Sequence, residues 1–242
     1  MGARGVSPEP RRSTAHSHAH GQLLGTTTGL STVGTDTGRW VVPPTHAIWL
    51  PPHHRHDFSS HGPFDGWSIY VEERACTKLP QRPCVLRTSA LLRETVQRII
   101  GWRRADLSEA QTRIALVALD EIAEAHEESF GLPMPKDPRL VRLAEDALAE
   151  PGVWRSLPEQ AAIYGMSART LTRRFPAETG FTLRTWLQRA RLVRAMEWLA
   201  EGKPVAIVAF DLGYENVSSF IDMFKAHFDV TPGRYLGNTR PR

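Results

Sequence analysis

The chain has 242 residues, 41% of them hydrophobic, which is enough for two ordinary domains with cores of their own. No run of about 18 apolar residues occurs, so no membrane-spanning helix is expected. The formal net charge is only +4, with a pI near 9.4, so attraction to a polyanion has to come from a local patch rather than from the whole molecule.

Residues 1–15, MGARGVSPEPRRSTA, are basic and rich in Gly, Pro and Ser, and lack the apolar central segment of a secretory signal. They read as a flexible tail. Histidine is then the conspicuous residue, since eight of the ten lie between His16 and His61. His16 and His18 alternate along an expected strand and so share one face. Short strands broken by Gly and Pro predict a small β-barrel over 16–88. Trp40, Trp49, Trp67 and Tyr70 either line a cavity there or fill the barrel core.

After the barrel the apolar period changes from two to nearly four. Residues 89–100 carry Leu92, Val96 and Ile99, and 107–125 carry Leu107, Ala110, Ile114, Val117, Ala118 and Ile122, which predicts two amphipathic helices. Such a helix can pack on its own domain or on a partner copy; the stripe of 107–125 leads us to expect a homodimer, which makes 89–130 a helical dimerisation segment. Gly131, Pro133 and Pro135 mark a linker over 131–136, and 137–149 opens the next domain with Leu140, Leu143, Ala144 and Leu148 on one helical face.

The C-terminal part, 137–242, repeats one pattern. Leu157, Ala161 and Gly165 fall 48 positions before Val205, Ala209 and Gly213; Ser167, Leu171 and Phe175 fall 49 before Asn216, Phe220 and Phe224. Each copy reads as a helix-turn-helix unit. Gly at the turn can take positive φ, Ser167 or Asn216 can cap the second helix, and the apolar pair four apart faces the core. What remains on the first recognition helix is Arg169, Thr172 and Arg173, with Arg174 on the flank. Guanidinium groups on such a helix suit guanine edges or phosphates in a major groove; the competing reading is a solvated basic face. A helix over 183–200, about 27 Å long at roughly 1.5 Å per residue, joins the copies and sets the two recognition helices about one DNA turn apart.

The motifs GMSARTLTRRFPAETG, WLQRARLVRA, LGYENVSSF and TPGRY make residues 157–236 resemble the DNA-binding domain of the AraC/XylS family of bacterial transcription regulators. Three residues depart from that pattern. Asp229 replaces a usual Gly, Asp211 lies beside the second turn, and Asp222 stands at the position matching Arg173, where its charge repels phosphate. The second unit is therefore expected to read fewer bases, through Ser218, Ser219 and Ile221. Charge agrees: residues 151–200 hold 8 Arg and 3 Glu, whereas 201–242 hold 5 basic and 5 acidic groups, so the first unit and the linking helix carry the salt-sensitive attraction. Arg184 and Arg189 on that helix are expected to hold phosphates or internal carboxylates. A DNA-binding protein of the cytoplasm implies reduced, semi-buried thiols at Cys76 and Cys84.

The barrel region resembles the small cupin-like sensor domains attached to such regulators, in its HxH, GQL, W-x-x-P-P and W-x-P segments. Gln22 and Gly29 follow the first cupin motif, with Gln22 where Glu is usual; Gly38, Pro51 and His56 follow the second, with His53 where Gly is usual. This resemblance implies an effector or metal site at His16, His18, Gln22 and His56. Neutral imidazoles suit zinc, iron, nickel or manganese, and a plain organic-effector pocket is the alternative. His20, His53, His54 and His61 are expected on loops or strand exteriors. The implied protein is α+β, a cupin-like β-barrel with helices followed by an all-α domain of two helix-turn-helix units. Its implied partners are double-stranded DNA, a small-molecule effector, a second copy of the chain and RNA polymerase, with no membrane. The rival class is a metal-dependent cupin enzyme fused to a DNA-binding domain.

Overall fold

The computed structural model describes residues 2–102, 107–128, 131–153, 155–228 and 230–239; Asp229 lies outside them. The chain falls into two compact units, the first holding residues 2–36 and 40–131 and the second residues 37–39 and 132–238. The first holds β1 (Gly2–Ser7), β2 (Arg12–His16), β3 (Gly21–Thr35), β4 (Gly38–Val42), β5 (His46–Leu50), β6 (His56–Val71) and β7 (Cys84–Arg87), then α1 (Ala90–Ile100), α2 (Glu109–Glu124) and β8 (Glu127–Glu128). Among the described residues, and with β9 (Gly131–Pro133), the strands form one sheet ordered β1-β6-β3-β5-β7-β8, with β2 on β6, β4 on β3 and β9 on β4.

The long antiparallel pair β3–β6 is its axis, running from Gly21 opposite Val71 to Thr35 opposite His56. The register shifts on both sides of Thr28. Beside that shift Gly29 has φ +84°, and a Cβ there would lie 2.4 Å from the Pro63 carbonyl oxygen, so no other residue fits without strain.

Within the stretch expected to be a flexible tail, residues 2–7 and 12–15 are in strands. β1 pairs with β6 from Gly2 opposite Ile69 to Ser7 opposite Phe64, and β2 pairs with β6 at Arg12–Ser59 and His16–His56. With β3 on one side, the other edge of β6 needs partners for its amides and carbonyls. A backbone ladder supplies them without apolar side chains, and Arg4 adds two hydrogen bonds to the Asp65 carboxylate, at 2.9 and 2.6 Å. Gly131–Pro133, expected as linker, is likewise a strand.

Alternation gives the sheet two apolar faces. Leu23, Trp49, Trp67, Ile69 and Leu86 pack with Leu92, Val96 and Ile99 of α1 and Ala118 and Ile122 of α2. Leu24, Trp40, Ile48, Leu50 and Val85 form the opposite cluster. Trp49 and Trp67 are therefore core under the helices and not cavity lining. The α2 stripe is divided: Ala118 and Ile122 are buried in the chain's own unit, whereas Leu107, Leu116 and Val117 stay exposed. Ser89 and Ser108 cap the two helices with their side chains.

Cys76 and Cys84 are free and buried, and burial pushes the Cys84 thiol up to about 12, which keeps it protonated and unreactive. His46, opposite Arg87 in the β5–β7 pair, is pushed down to about 4, by burial first and then by the Arg87 charge. An unfolded His takes its proton near pH 6.5, and this one resists until about 4. Stability is therefore expected to fall as pH drops through that window, by up to about 1.4 kcal/mol per pH unit for one proton. His46→Gln should flatten the slope in urea titrations at stepped pH; an unchanged slope would assign it to other groups.

The second unit holds α3 (Pro138–Ala149), α4 (Leu157–Ile163), α5 (Ala168–Thr179), α6 (Leu183–Ala200), α7 (Val205–Asp211), α8 (Val217–Phe228) and α9 (Pro232–Thr239). Asp137 caps α3. Leu140, Leu143, Ala144, Ala161, Leu171, Phe175 and Trp186 form the core around the first helix pair. An aromatic set of Tyr214, Phe220, Phe224 and Tyr235 forms the core around the second, with Phe224 and Tyr235 ring centres 5.6 Å apart.

Candidate DNA-binding face and histidine cluster

The duplication is carried in hydrogen bonds as well as in residues. In the first turn Met166 N–H donates to the Ala161 carbonyl at 2.9 Å, and in the second Tyr214 N–H donates to Ala209 at 3.0 Å. Gly165 and Gly213 have φ +64° and +81°, the conformation that a chain reversing between two close helices needs and that only Gly takes freely. Past the extra residue, the Ser167 hydroxyl accepts from Thr170 N–H at 3.1 Å and the Asn216 side-chain oxygen from Ser219 N–H at 2.8 Å. α5 and α8 are therefore equivalent helices presented in the same way.

On α5 the expected outward set is exposed: Arg169, Thr172 and Arg173 all face solvent, and neither arginine is ion-paired among the described residues. Arg174 is different. Its guanidinium pairs with Asp137 at 2.5 Å and Glu178 at 3.2 Å, so it ties α5 to the start of α3 and is not free for phosphate. Arg139 also bonds Asp137, and together with the backbone bond at the helix start it holds that carboxyl down at about 2. On α6 Arg184 is exposed, while the Arg189 guanidinium lies 4.2 Å over the Phe181 ring. Arg191 is buried and donates to the Pro151 carbonyl at 2.8 Å; no periodicity in the sequence marks it as a structural arginine.

On α8 Ser218 and Ser219 are exposed and Ile221 is half-buried. Asp222 is exposed at the position matching Arg173. Asp211 is paired with Lys203, which cancels its charge beside the second turn. The two faces thus differ by a full sign of charge at one equivalent position.

In the first unit, His16, His18 and His56 each offer a ring nitrogen, and these atoms lie within 4.8 Å of one another. His16 ends β2 directly opposite His56, which opens β6. His18 sits on the following loop, held by its carbonyl, which accepts from His53 N–H at 2.8 Å. His53 has φ +64°, the left-handed conformation for which Gly is the usual residue, and such strain costs about 1–3 kcal/mol. Gln22 joins the cluster: its oxygen is 3.2 Å from His18 Nε2, and its amide donates to Ser68 Oγ at 3.0 Å and Tyr70 OH at 3.3 Å. Burial holds the His56 imidazole below its usual value. His20 and His54 lie outside the cluster, whereas His61 is buried and bonded to Thr32 at 2.9 Å rather than on an exterior.

A sheet domain with a polar cluster, followed by a helical domain that presents two equivalent helices, defines a sensor joined to a DNA-binding reader. Residues 5–119 match the family model of the AraC-like ligand-binding domain, and residues 160–238 match that of a helix-turn-helix domain. The HTH-type transcriptional regulator NimR of Escherichia coli is 32% identical over 225 residues, covering 93% of this chain and 82% of that protein. RipA of Corynebacterium glutamicum is 35% identical over 104 residues, 43% of this chain and 31% of that one. Among solved structures, ToxT from Vibrio cholerae aligns over 98% of this chain and 97% of its own, at 11% identity and a TM-score of 0.43. The chain belongs to the AraC family of transcription regulators. It is a ligand-responsive, DNA-binding regulator, with a strand-rich sensor domain before the helix-turn-helix domain.

Proposed function

We propose that the two helix-turn-helix units contribute unequally, with Arg169, Thr172 and Arg173 of α5 reading bases and Ser218, Ser219 and Ile221 of α8 making weaker contacts. The observation that carries this is the exposed, unpaired arginine face of α5 against Asp222 at the equivalent place on α8. Phosphate repels the second face and attracts the first. Effector binding in the sheet domain would shift the occupancy of promoter DNA, where RNA polymerase is the further partner. The setting is the cytoplasm. The test is a salt-controlled titration of duplex DNA selected from a random pool, comparing α5 and α8 variants. Equal losses from both helices would defeat the asymmetry.

The chain acts as a homodimer in this proposal, through the outward side of α2. Leu116 is 53% and Val117 36% exposed, which leaves two apolar side chains beside Arg113 on a helix whose inner face is already covered. Sedimentation of the full chain should show a concentration-dependent dimer, and Leu116→Glu should shift it to monomer. A wild-type monomer at all concentrations would end the proposal. The enzyme alternative is set aside, because Gln22 stands where a cupin enzyme would place a carboxylate and the relatives are regulators.

A further inference from the structure

The three clustered imidazoles share a feature that packing alone does not require. His16 Nδ1 bonds the Thr14 carbonyl at 3.0 Å, His18 Nδ1 the His20 carbonyl at 2.8 Å, and His56 Nδ1 the His54 carbonyl at 2.8 Å. A carbonyl can only accept, so each Nδ1 carries the proton and each neutral ring is left with a bare lone pair on Nε2. Backbone carbonyls that fix the tautomer and the ring plane in this way are the usual outer support of metal-bound histidines. The ring centres are 4.5, 5.1 and 6.0 Å apart. Gln22 adds a further lone pair: its amide nitrogen is engaged by Ser68 and Tyr70, which turns its oxygen toward His18 Nε2 at 3.2 Å. Two acceptors then face each other. A cation between them relieves that opposition; so does reversal of the amide.

We propose that His16, His18 and His56, with the Gln22 oxygen, form a reversible site for a divalent transition ion of borderline softness, such as zinc, cobalt or nickel. Nitrogen donors select such ions over magnesium or calcium, which take oxygen shells. Ligands of one ion at about 2.1 Å stand roughly 3–3.5 Å apart in tetrahedral geometry, so a set within 4.8 Å closes by a modest rotation of side chains. The ligand set is neutral throughout. It lacks the carboxylate that would offset the charge of the ion, so a carboxylate placed at Gln22 would strengthen binding. Closing the site would add a side-chain link to the backbone pairing that already holds the exposed β2 against the start of β6.

The test is equilibrium binding of zinc and cobalt to the full chain, purified without chelator or affinity-tag histidines, with the cobalt absorption bands reporting nitrogen ligation. One ion per chain is expected. His16→Ala and His56→Ala should each weaken binding by about 100-fold or more, His20→Ala should leave it unchanged, and Gln22→Glu should tighten it. His16 is exposed, so its variant keeps the test decisive should the buried His56 variant fail to fold. Absence of stoichiometric binding to the folded wild type overturns the site and leaves the amide reversed. Binding that survives His16→Ala and His56→Ala overturns it as well.

Discussion

Arg173→Ala is expected to weaken binding to the specific DNA site by about 1 to 3 kcal/mol, roughly 5- to 150-fold. The side chain is exposed on α5 and lacks a carboxylate partner among the described residues, so nothing within the fold compensates for its loss or shares in it. The pattern of the loss identifies the contact. If Arg173 bonds a base edge, discrimination relaxes at one base pair and the salt slope barely moves; if it bonds phosphate, all sequences weaken together and the slope falls by about 0.9. Asp222→Ala should act in the opposite sense, strengthening binding to any duplex by removing a like charge at the equivalent position. Arg174→Ala should alter stability rather than base preference, since its guanidinium is held by Asp137 and Glu178. Unchanged affinity for Arg173→Ala in a salt-controlled titration would take this residue off the DNA-binding face.

The DNA-binding unit was legible because its signals are local. Gly165 and Gly213, the caps Ser167 and Asn216, and an apolar pair four apart each act within one turn of helix, and their repetition at 48 and 49 positions left little freedom. Arg174 was not legible as a structural arginine, because its carboxylate at Asp137 comes from a different helix. The same contrast holds in the sheet. Alternation along one strand is not what brings His16 and His18 together, since β2 ends at His16 and His18 lies on the loop after it; nor could it say that Trp49 and Trp67 belong to the face covered by helices. Residues 1–15 gave no apolar pattern at all; the pairing of Gly2–Ser7 and Arg12–His16 with β6 satisfies an open backbone edge, and hydrogen bonds between main chains leave no trace in side-chain periodicity. The carbonyl bonds that fix the three imidazoles escape the sequence for the same reason.

Trp186→Ala should be the most damaging single change in the second unit. Trp186 is fully buried on α6, meets Phe175 of α5 edge to face at 5.6 Å, and donates its indole N–H to the Pro133 carbonyl at 2.7 Å. One side chain therefore joins the linking helix, the recognition helix and the segment leading into α3. Removing it costs about 3–5 kcal/mol for lost burial and the residual cavity, against a total stability of about 5–15 kcal/mol for a domain of ordinary size. Trp186→Phe separates the contributions, since it keeps most of the apolar volume and strands the Pro133 carbonyl, at about 1–3 kcal/mol. Urea unfolding followed by helical circular dichroism should rank the parent above Trp186→Phe and Trp186→Ala last. A value for Trp186→Ala within about 1 kcal/mol of the parent, less than the cavity cost alone, would mean that α6 is held by other contacts. DNA binding gives a second readout: Trp186→Ala should reduce the active fraction while the salt slope of the molecules that still bind stays at the parent value, because the phosphate-facing arginines are untouched. A changed slope would mean that α6 orients the α5 face as well as supporting it.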